Sequence, residues 1–137
     1  MSHARRAGLA GFALTAALLA PMAQADAFEL SGAWATDADL CNRVFARKGN
    51  EIGFAELSDL YGSGFVISGN RIIGKAAQCT IESRKQDGNG LDLTAACATS
   101  IMTQNMKFSL KVIDDNTITR TIEEIPGMSQ KYSRCKI

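Results

Sequence analysis

Histidine is all but missing from this chain. The only one is His3, so nothing from residue 4 onward carries an imidazole. That removes Ser-His-Asp and Cys-His nucleophilic arrangements from the body of the protein, and with them the commonest metal ligand. No long apolar run follows the first twenty residues, so no later segment reads as a membrane-spanning helix. Excess charge of one sign is missing too: 15 basic residues face 14 acidic ones, without the electrostatic footprint of a nucleic-acid binder. Neither a 20–50-residue repeat nor a low-complexity linker divides the chain, which points to one domain.

The acidic residues mark no site. Asp114-Asp115-Asn116 lacks the later ligands of a calcium loop and reads as an Asx-rich turn. Asp37 and Asp39 form no fuller ligand set, and Glu123 and Glu124, adjacent in a strand, face opposite sides. The chain is expected to be a non-enzyme without metal or cofactor, since catalysis needs positioned acid–base groups and none is signalled.

What is present starts with an export signal. Arg5 and Arg6 precede an uncharged, mostly apolar run from Ala7 to Ala20, and Ala23-Gln24-Ala25 supplies a small-residue cleavage pattern. Ala25-Asp26-Ala27 is an overlapping alternative, so cleavage falls after Ala25 or Ala27. The apolar run is shorter than the roughly 20 residues a spanning helix needs. No cysteine lies in the cleavage region, so no lipid anchor is expected. Residues 1–25 are read as a cleaved signal peptide and residues 26–137 as a single domain, periplasmic or secreted and monomeric. Loss of Arg5 and Arg6 turns the net charge to −1.

Four cysteines follow the signal: Cys41, Cys79, Cys97 and Cys135. In an oxidising compartment they form two disulfides, and four cysteines allow three connectivities. Asp87-Gly88-Asn89-Gly90 is a strong turn between two alternating runs. With residues 87–89 as the loop, Cys79 falls opposite Cys97, Ile81 opposite Ala95 and Ser83 opposite Leu93. Opposed strand positions are close enough for a bridge, which leaves Cys41 for Cys135. Pairing Cys41 with Cys79 and Cys97 with Cys135 is the alternative, since a one-residue slip would undo the register.

The remainder reads as mostly β. Strands are expected over Phe28–Ala35, Glu51–Leu57, Phe65–Ser68, Arg71–Lys75, Ala77–Lys85, Leu91–Thr99, a run through Met106, Phe108, Leu110 and Val112, Thr117–Glu124 and Gln130–Lys136. Gly69-Asn70 suits a two-residue type II′ hairpin that sets Gly74 opposite Phe65. One helix, capped by Thr36 or Asp37 and running from Ala38 to Arg47, is expected to end at Gly49. It is read as a plug for the barrel's open end, with a lid over a cavity as the alternative. The fold class is all-β: an up-and-down antiparallel barrel of about eight strands with one short helix after the first.

Gly32-Ala33-Trp34, in the first strand of such a pattern, resembles the G-x-W signature of lipocalins and the wider calycin superfamily. The resemblance implies that Trp34 closes the barrel floor with a basic side chain from the last strand across it. Arg134 matches that position, and Arg120 is its rival. Avidin-like members build their biotin site from several tryptophans, and this chain has one, which argues against biotin. Size and export resemble the bacterial metalloprotease inhibitors, whose N-terminal arm would correspond to Asp26-Ala27-Phe28-Glu29. The loop Tyr61-Gly62-Ser63-Gly64-Phe65 resembles the Ser-Gly-rich loop of periplasmic lysozyme inhibitors.

Two function classes follow. In the first, the chain recognises or inhibits an envelope or extracellular protein through the loop Tyr61, Gly62, Ser63, Gly64 and Phe65, or through Ile125 to Gln130. In the second, it is a lipocalin-like carrier of a small apolar ligand lined by Phe54, Phe65, Met106, Phe108 and Leu110. Cavity volume separates them: about 300 Å³ or more of apolar space favours a ligand, and a filled barrel favours a surface role. The sequence reading prefers protein recognition.

Overall fold

A computed structural model of the chain describes residues 20, 21 and 26–137, so nearly all of the expected signal peptide lies outside the described residues. Ten strands follow one another: β1 (Gly32–Ala35), β2 (Phe45–Lys48), β3 (Glu51–Phe54), β4 (Gly64–Ser68), β5 (Arg71–Ile73), β6 (Gln78–Asp87), β7 (Gly90–Ala98), β8 (Thr103–Asp114), β9 (Thr117–Thr121) and β10 (Ser129–Cys135). Eight of them close an antiparallel barrel in the order β1-β10-β9-β8-β7-β6-β5-β4, and β2 and β3 form a separate hairpin. Among the described residues no helix is long and apolar enough to cross a membrane.

Alternation explains the wall. On β8, Met106, Phe108, Leu110 and Val112 turn into the apolar interior while Lys107 and Lys111 stay exposed. The turns between β4 and β5, β6 and β7, and β8 and β9 lie at one end, here called the floor. The connections from β1 to β4, β5 to β6, β7 to β8 and β9 to β10 lie at the other, the mouth.

Both disulfides are those expected, Cys41–Cys135 and Cys79–Cys97. The hairpin carrying the second reaches its register by another route. Asp87 pairs with Gly90, so the turn is the two residues Gly88-Asn89, with Gly88 at φ +58°, rather than the three residues 87–89. Ile81 still pairs with Ala95, but Ser83 pairs with Thr94 rather than Leu93, because an extra residue bulges from β6 between Ile81 and Ser83. The bulge and the shorter turn cancel at Cys79 and Cys97. They do not cancel beyond the bulge: Arg84 takes the place opposite Leu93 expected for Ser83, and Gln86 lies opposite Leu91, so both share the face of these buried leucines.

The helix is shorter than expected and lies elsewhere. Asp37 caps a 3₁₀ turn, Ala38–Leu40, by accepting the Asp39 amide, and α1 (Cys41–Val44) follows. The chain then becomes β2 instead of continuing to Arg47. Phe45, turning into β2 and pairing with Phe54, stacks on its ring with centroids 5.3 Å apart. Cys41, Val44 and Phe45 pack with Ala33, Ala35, Val66 and Cys135, on the face of β1, β4 and β10 opposite the barrel interior. The helix and its hairpin therefore cover the outer wall; they do not plug the mouth. Phe54 belongs to this outer cluster, and the strand expected over Glu51–Leu57 ends at Phe54 outside the barrel.

The outer cluster demands a bare backbone at Gly64. A Cβ there would collide with the Trp34 carbonyl oxygen and stand 2.8 Å from Phe45 Cζ. Gly64→Ala is expected to destabilise by roughly 1–3 kcal/mol through overpacking. Urea unfolding checks this, and an unchanged midpoint would show that β1 and β4 separate without cost.

Candidate ligand cavity and barrel floor

The floor is built around Trp34, which has no exposed surface and donates Nε1–H to the Leu30 carbonyl at 2.9 Å. Arg134 is its ladder partner on β10, and the guanidinium carbon stands 4.3 Å from the indole centroid. The same guanidinium donates to the carbonyls of Ser31 (2.6 Å), Glu29 (2.5 Å) and Asp115 (3.0 Å). Gly32 sits at φ +125°, a conformation that L side chains rarely adopt, and a Cβ there would lie 3.3 Å from Arg134 Nη1. The glycine of the G-x-W pattern thus has a local cause.

Residues 28–31 form no strand, contrary to the expected span from Phe28; they cross the floor instead. Phe28 packs 6.3 Å from Trp34, its amide donates to Gln86 Oε1, and its carbonyl accepts from Arg84 Nη2. Both partners are on the inner face because of the β6 bulge. Phe28 and Glu29 are therefore tied to the barrel and are not a free arm. The Ser31 amide donates to Glu29 Oε1 and holds that carboxyl below its usual range, with Arg134 and Arg84 adding in the same direction.

The mouth half is not filled. A cavity of about 280 Å³ lies among Phe65, Ile67, Ile72, Leu93, Met106, Phe108, Leu110 and Tyr132, and reaches the mouth at Ser63, Gly74 and Ala77. This volume is at the lower edge of ligand-pocket sizes. Four of the five expected lining residues are there: Phe65, Met106, Phe108 and Leu110. Tyr132, expected only as a strand residue, meets Phe65 edge-on at 4.9 Å. Among the described residues neither a carboxylate nor a free thiol lines the cavity, and Cys79 on its wall is bonded to Cys97. Among the described residues no group of three or more His, Cys, Asp or Glu side chains could hold a metal ion.

Arg120 is on this wall and not at the floor. Its Cζ stands 4.7 Å from the Phe108 centroid, and its Nε is buried without a hydrogen-bond partner. The calycin resemblance offered Arg120 as the rival of Arg134 across Trp34, whereas its place between Ile118 and Ile122 on an alternating strand puts it on the inner face. An inward cation on an alternating strand was the available signal for a polar point inside the barrel.

The loop chosen for partner contact is divided by the fold. Tyr61 is half-buried, with Arg43 5.0 Å above its ring and Arg43 Nη1 3.4 Å from its hydroxyl. Gly62 and Ser63 are exposed, Gly64 is pressed on β1, and Phe65 turns into the cavity. Larger apolar exposure lies nearby at the mouth: Leu57, Leu60, Ile101, Met102, Ile125 and Met128 are all exposed, on three different connections. Comparison with protein families, curated proteins and solved structures returns no match to this chain.

Proposed function

We propose that the chain is a non-catalytic, extracytoplasmic binding protein that holds a small, mainly apolar ligand in the mouth half of its barrel. The observation that carries this reading is the unequal filling of the barrel, with a packed floor and an apolar cavity of about 280 Å³ above it. Protein interiors are close-packed, and few natural voids exceed the size of a water molecule. The two disulfides support an oxidising compartment, and the export signal read over residues 1–25 supports periplasm or secretion. The closed eight-stranded barrel and the Arg134–Trp34 stack support the calycin resemblance. The non-catalytic reading rests on the missing histidine and on four cysteines with no free thiol.

A neutral fluorescent probe, N-phenyl-1-naphthylamine, tests the site. Saturable one-site binding is expected, and Met106→Trp, which fills the cavity, should weaken it about tenfold or more, the change expected from losing a buried apolar contact of a few kcal/mol. No saturable binding, or binding indifferent to Met106→Trp in a protein with native circular dichroism, would overturn the cavity reading.

Protein recognition remains the second reading, through the mouth connections, among them the segment Ile125 to Gln130 already offered by the sequence. The exposed apolar side chains around the mouth favour it, since such clusters mark interaction sites. Pull-down from an envelope extract, with mass spectrometry of bound proteins and lipids, separates the two.

A further inference from the structure

Among the described residues Arg120 is the only cationic side chain on the cavity wall. A guanidinium stays charged and presents five donors in one plane. Here its Nε is buried without a partner, and no described residue makes an ion pair with it. Glu123 and Glu124 share with Arg120 a separate polar groove outside the mouth, but neither reaches ion-pair distance. Ladder pairing with Leu110 puts Arg120 on the inner face, and contact with Phe108 holds it there. Half-buried Arg120 leaves a buried donor, Nε, unpaired on the apolar wall, and buried polar atoms in folded proteins normally find partners.

We propose that the cavity takes an amphiphilic monoanion, a carboxylate on an apolar body, with the carboxylate received by Arg120. This rests on the cavity being the binding site. The apolar wall takes the body, and the guanidinium supplies charge-assisted hydrogen bonds, for which a carboxylate has matching fork geometry. Size follows from volume: at about 30 Å³ for each water-sized group, 280 Å³ holds roughly nine such groups. An eight-carbon carboxylate is of that order. The anion replaces the missing partner of Nε, so head group and tail are each matched to a part of the same wall.

Isothermal titration at pH 7 with octanoate, 1-octanol and octylammonium tests this. Octanoate is expected to bind about tenfold or more tighter than 1-octanol, the scale of a charge-assisted bond, and octylammonium weakest. Arg120→Gln should remove the preference, lowering octanoate far more than octanol until the two bind alike, while Arg120→Lys should keep part of the preference. Equal binding of octanoate and octanol by the wild-type protein would overturn the role of Arg120 and leave the cavity reading standing. An octanoate preference that survives Arg120→Gln in a natively folded variant would also overturn it, by placing the anion elsewhere. Failure of all three compounds to bind would overturn this inference, and with the naphthylamine result it would end the cavity reading as well. The wild-type series needs no variant to fold.

Discussion

Replacing Trp34 with alanine is expected to lower folding stability by roughly 3–5 kcal/mol, the usual cost of removing a large buried aromatic side chain. Small domains are stable by only about 5–15 kcal/mol, so the variant should be close to unfolding at room temperature. The expected loss follows from what the indole holds. It is fully buried, donates to Leu30, carries Arg134 on its face and supports Phe28. Trp34→Phe should lose less, because it keeps an aromatic surface and gives up mainly the bond to Leu30, worth about 0.5–1.5 kcal/mol. Urea unfolding followed by far-ultraviolet circular dichroism is the measurement, since Trp34 is the only tryptophan and its emission disappears with it. A loss below about 1 kcal/mol for Trp34→Ala would show that the floor adds little to the core. A double-mutant cycle with Arg134→Met should return a coupling of roughly 0.5–2 kcal/mol for the stacked pair.

Loss of the Cys41–Cys135 bridge, as Cys41→Ala with Cys135→Ala, should cost about 4.7 kcal/mol, against about 3.2 kcal/mol for Cys79→Ala with Cys97→Ala. Both figures come from the chain-entropy model with sequence separations of 94 and 18 residues. Structure adds to the difference. The long bridge ties α1 and the β2–β3 hairpin to β10, so its removal also loosens the outer cluster of Val44, Phe45 and Val66. The short bridge spans two strands already joined by a long antiparallel ladder. Chemical unfolding of each double variant measures the two losses. If the short bridge proved the costlier, outer-wall docking would be stable without its covalent tie. Cys79 lines the cavity, so its variant should in addition change affinity for the naphthylamine probe, and the outer-wall variant should not.

Much of the barrel was legible because its signals are local. Alternation along β8 needs only a period of two, and the turns at Gly69-Asn70 and Gly88-Asn89 need only residues that accept a positive φ. The hairpin cysteines were legible partly through compensation. A turn one residue shorter than expected and one extra residue on β6 restored the same pairing. No local rule marks Glu82 as the place for a bulge. Its consequence is tertiary: Arg84 and Gln86 face inward and clamp Phe28 across the floor.

The helix shows the opposite failure. Residues 38–47 satisfy helix spacing, but Phe45 gains more by leaving the helix for β2 and stacking on Phe54. Propensity is a weak prior that such packing overrides. The loop from Tyr61 to Phe65 shows the same limit of local reading. Gly and Ser read as flexible on paper, but Gly64 is pressed on Trp34 and Tyr61 is held by Arg43.

By itself, the sequence determined a mostly β chain, favoured the bridges Cys41–Cys135 and Cys79–Cys97 over the alternative pairing, and gave a tryptophan on the first strand and a body without histidine. These follow from periodicity, turn chemistry and composition, each read within a few residues or from a count. Only the tertiary structure decided that the β2–β3 hairpin stays outside the barrel, that the helix covers the wall and leaves the mouth open, and that Arg120 faces a cavity instead of the floor. Those outcomes depend on which faces meet when eight strands close on themselves, and closure is set by long-range packing that no single stretch of the chain contains.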